Sequence, residues 1–182
     1  IYNFSNATCI PVPLNFELES SAIATDSEGN ICVPYLEVGR GPDGKLACWN
    51  GRRWRHSSIL DHFAFSFSLS FSSETMWLAH SRFFEGVSVG DESGSISHFQ
   101  NGKLVATWMR PTDTIARQPN FVIGIANKAI FTELNSKQES DFSIVHLNGS
   151  VVEMDATGTS RILKDDFDVP TGVAVMGAST KG

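Results

Sequence analysis

From Phe63 to Phe71 large apolar and small polar residues alternate without a break, Phe-Ala-Phe-Ser-Phe-Ser-Leu-Ser-Phe. A period of two sends successive side chains to opposite faces of a strand, here one face apolar and the other small, wet or packed. The polar turn Ser72-Ser73-Glu74-Thr75 then leads into a second apolar run, Met76 to Ala79. Ala22 to Thr25 leads in the same way through Asp26-Ser27-Glu28-Gly29-Asn30 into Ile31-Cys32-Val33. No window carries a 3.6-residue apolar stripe with a cap at each end, so the chain reads as nearly all β.

Repetition sharpens that reading. Asn50-Gly51, Asn101-Gly102 and Asn148-Gly149 recur at spacings of 51 and 47 residues, each between two alternating segments. Asn-Gly accepts positive φ at both central residues of a type I′ turn, so each is expected to close a hairpin. A unit near 50 residues with four short strands implies a propeller-like array of about three to four antiparallel four-stranded sheets. The units are expected at about 20–58, 63–110 and 119–165, with a further strand starting in 169–182, all within one domain. Three units and a fragment fall short of the roughly four to eight blades of a closed ring. An open arc is therefore expected unless two chains complete each other.

Asp26-Ser-Glu-Gly-Asn30 with Gly44-Lys-Leu-Ala-Cys-Trp-Asn-Gly-Arg-Arg-Trp54, and the stretch Gly86 to Gly102, resemble blades of the two-component-regulator and NHL-type β-propeller repeats. Ser143 to Leu163 resembles the later strands of such a blade, and Val169 to Met176 the start of another. The resemblance implies architecture and says nothing of activity.

Charge and cysteine content narrow the function classes. Fourteen Lys and Arg against 20 Asp and Glu give a net charge of −6, which argues against nucleic acid and points to a basic partner. No stretch approaches the roughly 18 to 20 apolar residues of a spanning helix, so no membrane insertion is expected. Of the three cysteines, Cys32 and Cys48 flank the Gly39 to Gly44 turn almost symmetrically and are the candidate disulfide, with Cys9 left over. The chain begins at Ile1, which fits either trimming or removal of a targeting segment, and a secreted or periplasmic location is expected. Asn3, Asn6 and Asn148 head N-x-Ser/Thr sequons that would be glycan acceptors in a eukaryotic secretory protein.

Catalytic signatures are not evident, and no catalytic residue, metal site or cofactor is assigned. Gly94-Ser95-Ile96-Ser97-His98 lacks the second glycine of a nucleophile elbow, and the five histidines are isolated, with no zinc spacing. The acidic run Asp165-Asp166-Phe167-Asp168 and the turn at Asp26 read as solvated turns, because neither has calcium-loop spacing. Ser72 to Trp77 keeps neither the Asp nor the Gly of a sialidase Asp-box.

Arg53, Trp54 and Arg55 have hot-spot composition and form a secondary binding candidate. The favoured reading packs Trp54 between sheets and leaves the arginines hydrating an edge strand. The main candidate is a rim of polar, Gly/Pro-punctuated loops around 38–44, 91–94 and 136–141, joined by the connections 109–119 and 163–170. Arg40, Asp43, Asp91, Glu92, Lys137 and Glu139 are its proposed contacts. The expected function is non-catalytic protein recognition, in its most concrete form an inhibitor or immunity protein blocking an effector enzyme. A lectin-like carbohydrate-binding module and a propeller hydrolase or lactonase are the alternatives.

Overall fold

A computed structural model describes residues 2–3, 8–9, 22–36, 44–60, 66–80, 94–109, 116–138, 144–168, 170 and 172–174. It is nearly all β. Beyond a two-residue pair, β1 (Tyr2–Asn3) with β2 (Thr8–Cys9), it contains three four-stranded antiparallel sheets, none closed into a barrel. Apart from a 3-10 turn at Ser58–Leu60, no helix occurs among the described residues, so none there is long and apolar enough to span a membrane.

Each sheet is a meander of consecutive strands. The first holds β3 (Ala24–Thr25), β4 (Ile31–Leu36), β5 (Gly44–Trp49) and β6 (Trp54–Ser57). The second holds β7 (Ser66–Ser72), β8 (Thr75–His80), β9 (Ser95–Gln100) and β10 (Lys103–Met109). The third holds β11 (Ala116–Ile125), β12 (Lys128–Gln138), β13 (Ile144–Asp155) and β14 (Ser160–Phe167).

Strand alternation places the second sheet in the middle. Met76 and Leu78 of β8, with Leu69 and Phe99, pack against Cys32, Leu46 and Leu60 of the first sheet and its following turn. Trp77 and Ala79, one residue out of phase, pack with Ile96 against Val122, Phe131, Val152 and Met154 of the third. Burying a large side chain of this kind contributes about 1.5 to 3 kcal/mol, so both faces of the middle sheet are committed to the core.

The small polar face of β7 is packed. Ser68, Ser70 and Ser72 accept hydrogen bonds through Oγ from the backbone N–H groups of Val122, Gly124 and Ala126, at 3.1, 2.9 and 3.1 Å. Partner numbers rise together, so β7 and β11, each the first strand of its sheet, run parallel across the junction. Serine suits this position because its hydroxyl reaches an edge N–H that no strand pairs within the sheet.

Asn50-Gly51 and Asn101-Gly102 both close hairpins as expected, the first in a different turn type, whereas Asn148-Gly149 needs correction. Asn101-Gly102 closes β9 onto β10 with φ of 49° and 71°, as a type I′ turn requires. At the first site only Gly51 has positive φ, at 89°, and the Asn50 carboxamide instead accepts the Arg52 and Arg53 N–H groups. Asn148-Gly149 is no turn: it lies inside β13, and the chain reverses later, at Asp155 to Thr159, around the next glycine, Gly158. Gly149 serves packing instead, because a Cβ there would strike Pro170 and lie 2.6 Å from the Glu133 carbonyl oxygen.

Candidate functional site

The irregular end of the third sheet forms the site. All three of its strand pairs slip in register there, between Pro119 and Phe121, between Glu133 and Asn135, and on both sides of Val151. A bulge sets two residues against one, bends the strand and re-aims side chains. The first sheet shows no such slip in its described pairings. Where the third sheet is bent, a groove of about 500 Å³ opens among Arg117, Asn135, Leu147, Asn148, Asp165 and Asp166, with Ser150 and Ile162 also on its walls. That volume is within the range of small-molecule and side-chain pockets.

A buried ion pair supports one side. Glu133 is 1% exposed, and the Arg117 guanidinium, 24% exposed, donates to its carboxylate at 3.3 Å. Breaking such a pair from one side costs about 3 to 5 kcal/mol, so Arg117 and Glu133 hold each other in place. The Asn135 side chain, 8% exposed, donates from Nδ2 to the Asn148 carbonyl at 2.7 Å, which fixes the orientation of its amide. Its Oδ1 is then the remaining acceptor, and it has no hydrogen-bond partner among the described residues. Across the groove, Asp166, in a left-handed backbone conformation with φ of 66°, accepts from Asn148 Nδ2 at 3.2 Å. Asp165 stands exposed beside it.

Chemically the groove combines two carboxylates with aliphatic walls from Leu147 and Ile162. No protein-family model matches the chain. No curated protein matches it either.

Arg40, Asp43, Asp91, Glu92 and Glu139 lie outside the described residues. Lys137 requires correction: residues 136–138 continue β12, with Lys137 opposite Val145, so this position is strand where a loop was expected. Asp165 and Asp166 likewise belong to β14, which runs to Phe167, and they line the groove where a solvated turn was expected.

Arg53 and Arg55 are exposed at the outer edge of the first sheet. Trp54 is half-buried and packs on Trp49 of its own sheet, ring centroids 5.6 Å apart. Cys32 and Cys48 are directly opposed, with Cα atoms 4.1 Å apart, and are joined as a disulfide. The Asp26 carboxylate lies near both sulfurs, but the disulfide engages them, and Asp26 itself accepts the Glu28 and Asn30 N–H groups to build its turn.

Two histidines sit in the middle sheet. His80 Nε2 lies 2.8 Å from Ser97 Oγ, yet Ser97 is fully buried and offers no exposed nucleophile. His98 stacks on Trp77 at 4.3 Å, and burial lowers its pKa, so the ring is neutral at pH 7.

Proposed function

We propose that the chain is part of a propeller-type array that works as a non-catalytic scaffold for recognising another protein. Three consecutive four-stranded meanders support the propeller reading. A repeated junction supports it further. In the second sheet, a Cβ on Gly94 of the strand end leading into β9 would meet Pro119 at 2.5 Å and the His80 carbonyl at 2.9 Å. Gly149 of β13 has the same neighbours one sheet later, Pro170 and the Glu133 carbonyl. Pro119 belongs to the first strand of the third sheet, so Pro170 takes the place where a fourth sheet would begin.

The groove at the bent end of the third sheet is the observation that carries the recognition reading. It is preformed by the Arg117–Glu133 pair and is lined by the exposed carboxylates of Asp165 and Asp166. A net charge of −6 would steer a basic protein to it, and a secreted or periplasmic inhibitor or immunity protein is the most concrete form.

The test compares the parent chain with two variants, one carrying alanine at Arg40, Asp43, Asp91, Glu92, Lys137 and Glu139, the other Asp165→Asn with Asp166→Asn. Both are used as bait in the native host, followed by affinity measurement on the purified partner. Loss of about 2 kcal/mol or more in binding, with melting unchanged, supports recognition at this end. Turnover of a substrate by the isolated chain refutes the scaffold reading.

A further inference from the structure

We propose that Asn101 is a self-modification site, where the carboxamide converts to a carboxylate without an enzyme, and that the fold protects the identical dipeptide Asn148-Gly149 from the same reaction.

The chemistry belongs to the Asn-Gly pair. The backbone nitrogen of the glycine attacks Cγ of the asparagine and gives up its proton; the Cγ–Nδ2 bond breaks, and Nδ2 leaves as ammonia carrying that proton. Water then opens the resulting cyclic imide at either carbonyl. One product is aspartate. In the other, isoaspartate, the main chain runs through Cβ and Cγ and is longer by a methylene. Water is the sole co-reactant, and glycine, with no Cβ, leaves its nitrogen open to attack. All three Asn-Gly pairs contain these groups, so what decides between them is whether the asparagine can turn its peptide plane and its carboxamide toward each other.

Asn101 can do both. It and Gly102 are exposed at the tip of the β9–β10 hairpin. The central peptide of a two-residue turn lies outside the strand ladder, so turning it breaks no interstrand bond. The Asn101 carboxamide has no hydrogen-bond partner among the described residues. Its backbone N–H donates to the Glu74 carbonyl at 2.9 Å, a bond on the other side of Cα from the peptide that must turn.

Asn148-Gly149 is held at each group the reaction uses. The Asn148 carbonyl, part of the peptide that would have to turn, accepts from the buried Asn135 amide at 2.7 Å. The leaving nitrogen, Nδ2, donates to Asp166 at 3.2 Å. Gly149 itself is buried inside β13, packed against Pro170 and the Glu133 carbonyl. Turning this peptide requires opening part of the third sheet, whereas a hairpin tip opens by itself. Asn50-Gly51 is intermediate: it is exposed, but its carboxamide oxygen accepts the Arg52 and Arg53 N–H groups at 3.1 and 3.0 Å and must release both to swing round.

The consequence of modification at Asn101 reaches β10. Gln100 and Lys103 are paired directly across the turn, a match that the length of the loop sets. Isoaspartate lengthens that loop and spoils the match, on an edge strand whose Trp108 packs against the core. Either product also makes the net charge of −6 more negative.

Incubating the purified chain at mildly alkaline pH, folded and in urea, and mapping aspartate and isoaspartate by digestion and mass spectrometry tests this. In the folded chain Asn101 should react about ten-fold or more faster than Asn148, with Asn50 between them, because local opening is least costly at the hairpin tip. In urea the three rates should converge, since the dipeptide is the same. Asn101→Asp keeps a residue suited to the turn and should abolish the fast phase of ammonia release while leaving the circular dichroism unchanged. Equal rates at Asn101 and Asn148 in the folded chain, a reaction at Asn50 ahead of Asn101, or the same ranking persisting in urea overturns the proposal.

Discussion

Gly29 and Gly158 occupy the same turn twice, and substituting each by alanine separates backbone strain from packing. In the first turn Asp26 N–H donates to the Asn30 carbonyl, Gly29 N–H to the Asp26 carbonyl, and the Asp26 carboxylate accepts from residues 28 and 30. Asp155, Gly158 and Thr159 repeat these bonds, with Thr157 and Thr159 as the carboxylate's donors. The two glycines have φ of 82° and 85°, so alanine carries the same conformational penalty in both, about 1 to 2 kcal/mol. Their surroundings differ. A Cβ on Gly29 meets nothing within 4 Å, whereas one on Gly158 overlaps the indole of Trp108. Trp108 packs against the core formed by Trp77, Ile96 and Met154 and cannot retreat without disturbing it. Overpacking of this kind adds about 1 to 3 kcal/mol. Gly158→Ala should therefore cost about 2 to 5 kcal/mol in urea unfolding against about 1 to 2 for Gly29→Ala, each sum taken from these strain and overpacking ranges. In a Trp108→Ala background the excess should vanish. Equal losses for the two glycines, or an excess that persists without Trp108, would refute the packing argument.

Ser70→Ala should strand the Gly124 N–H and lower stability by about 1 to 3 kcal/mol, while Ser70→Thr, which keeps the acceptor, should lose less by the same measurement. Replacing Cys32 and Cys48 by serine removes a cross-link spanning 16 residues and should lower stability by about 3 kcal/mol on the chain-entropy account; a non-reduced digest without the linked peptide pair contradicts the bond itself. Acid should act in two stages. Burial lowers the His98 pKa below 6.5, so the unfolded chain takes that proton first and stability falls as pH drops below about 6.5. Glu153, held by Arg161, and Asp155, held by the Thr157 hydroxyl, lie below 4.5 and 3.8, and their contributions, fully present above those values, are lost as pH falls below them through the lower folded-state values. Urea midpoints at pH 7.5, 5.5 and 3.5 check both stages, and His98→Phe should remove only the first.

Alternation made the strands legible. The Phe/Ser pattern of 63–71 and the turn at 72–75 correspond to β7 and β8, because a period of two has one structural meaning. Turn type was less legible, since Asn-Gly in a strand interior looks the same as Asn-Gly at a reversal. What decided Asn148-Gly149 was Pro170, a distant residue resting on Gly149. The groove left still less trace. Arg117, Asn135 and Asp166 are 18 and 31 residues apart along the chain and come together only because three strand pairs slip in register at one end. No local propensity encodes a slip of that kind.

The serine ladder on β7 also acts as a proofreading device. Sliding β7 by one residue against β11 would present Leu69 and Phe71 where Ser70 and Ser72 now accept N–H protons. Bulky side chains would meet the bare edge of β11, its amides would lose their acceptors together, and the misaligned junction would be rejected at several points at once. An edge occupied in this way also gives an incoming foreign strand nothing to pair with, so one row of hydroxyls both sets the alignment of neighbouring sheets and discourages runaway strand addition.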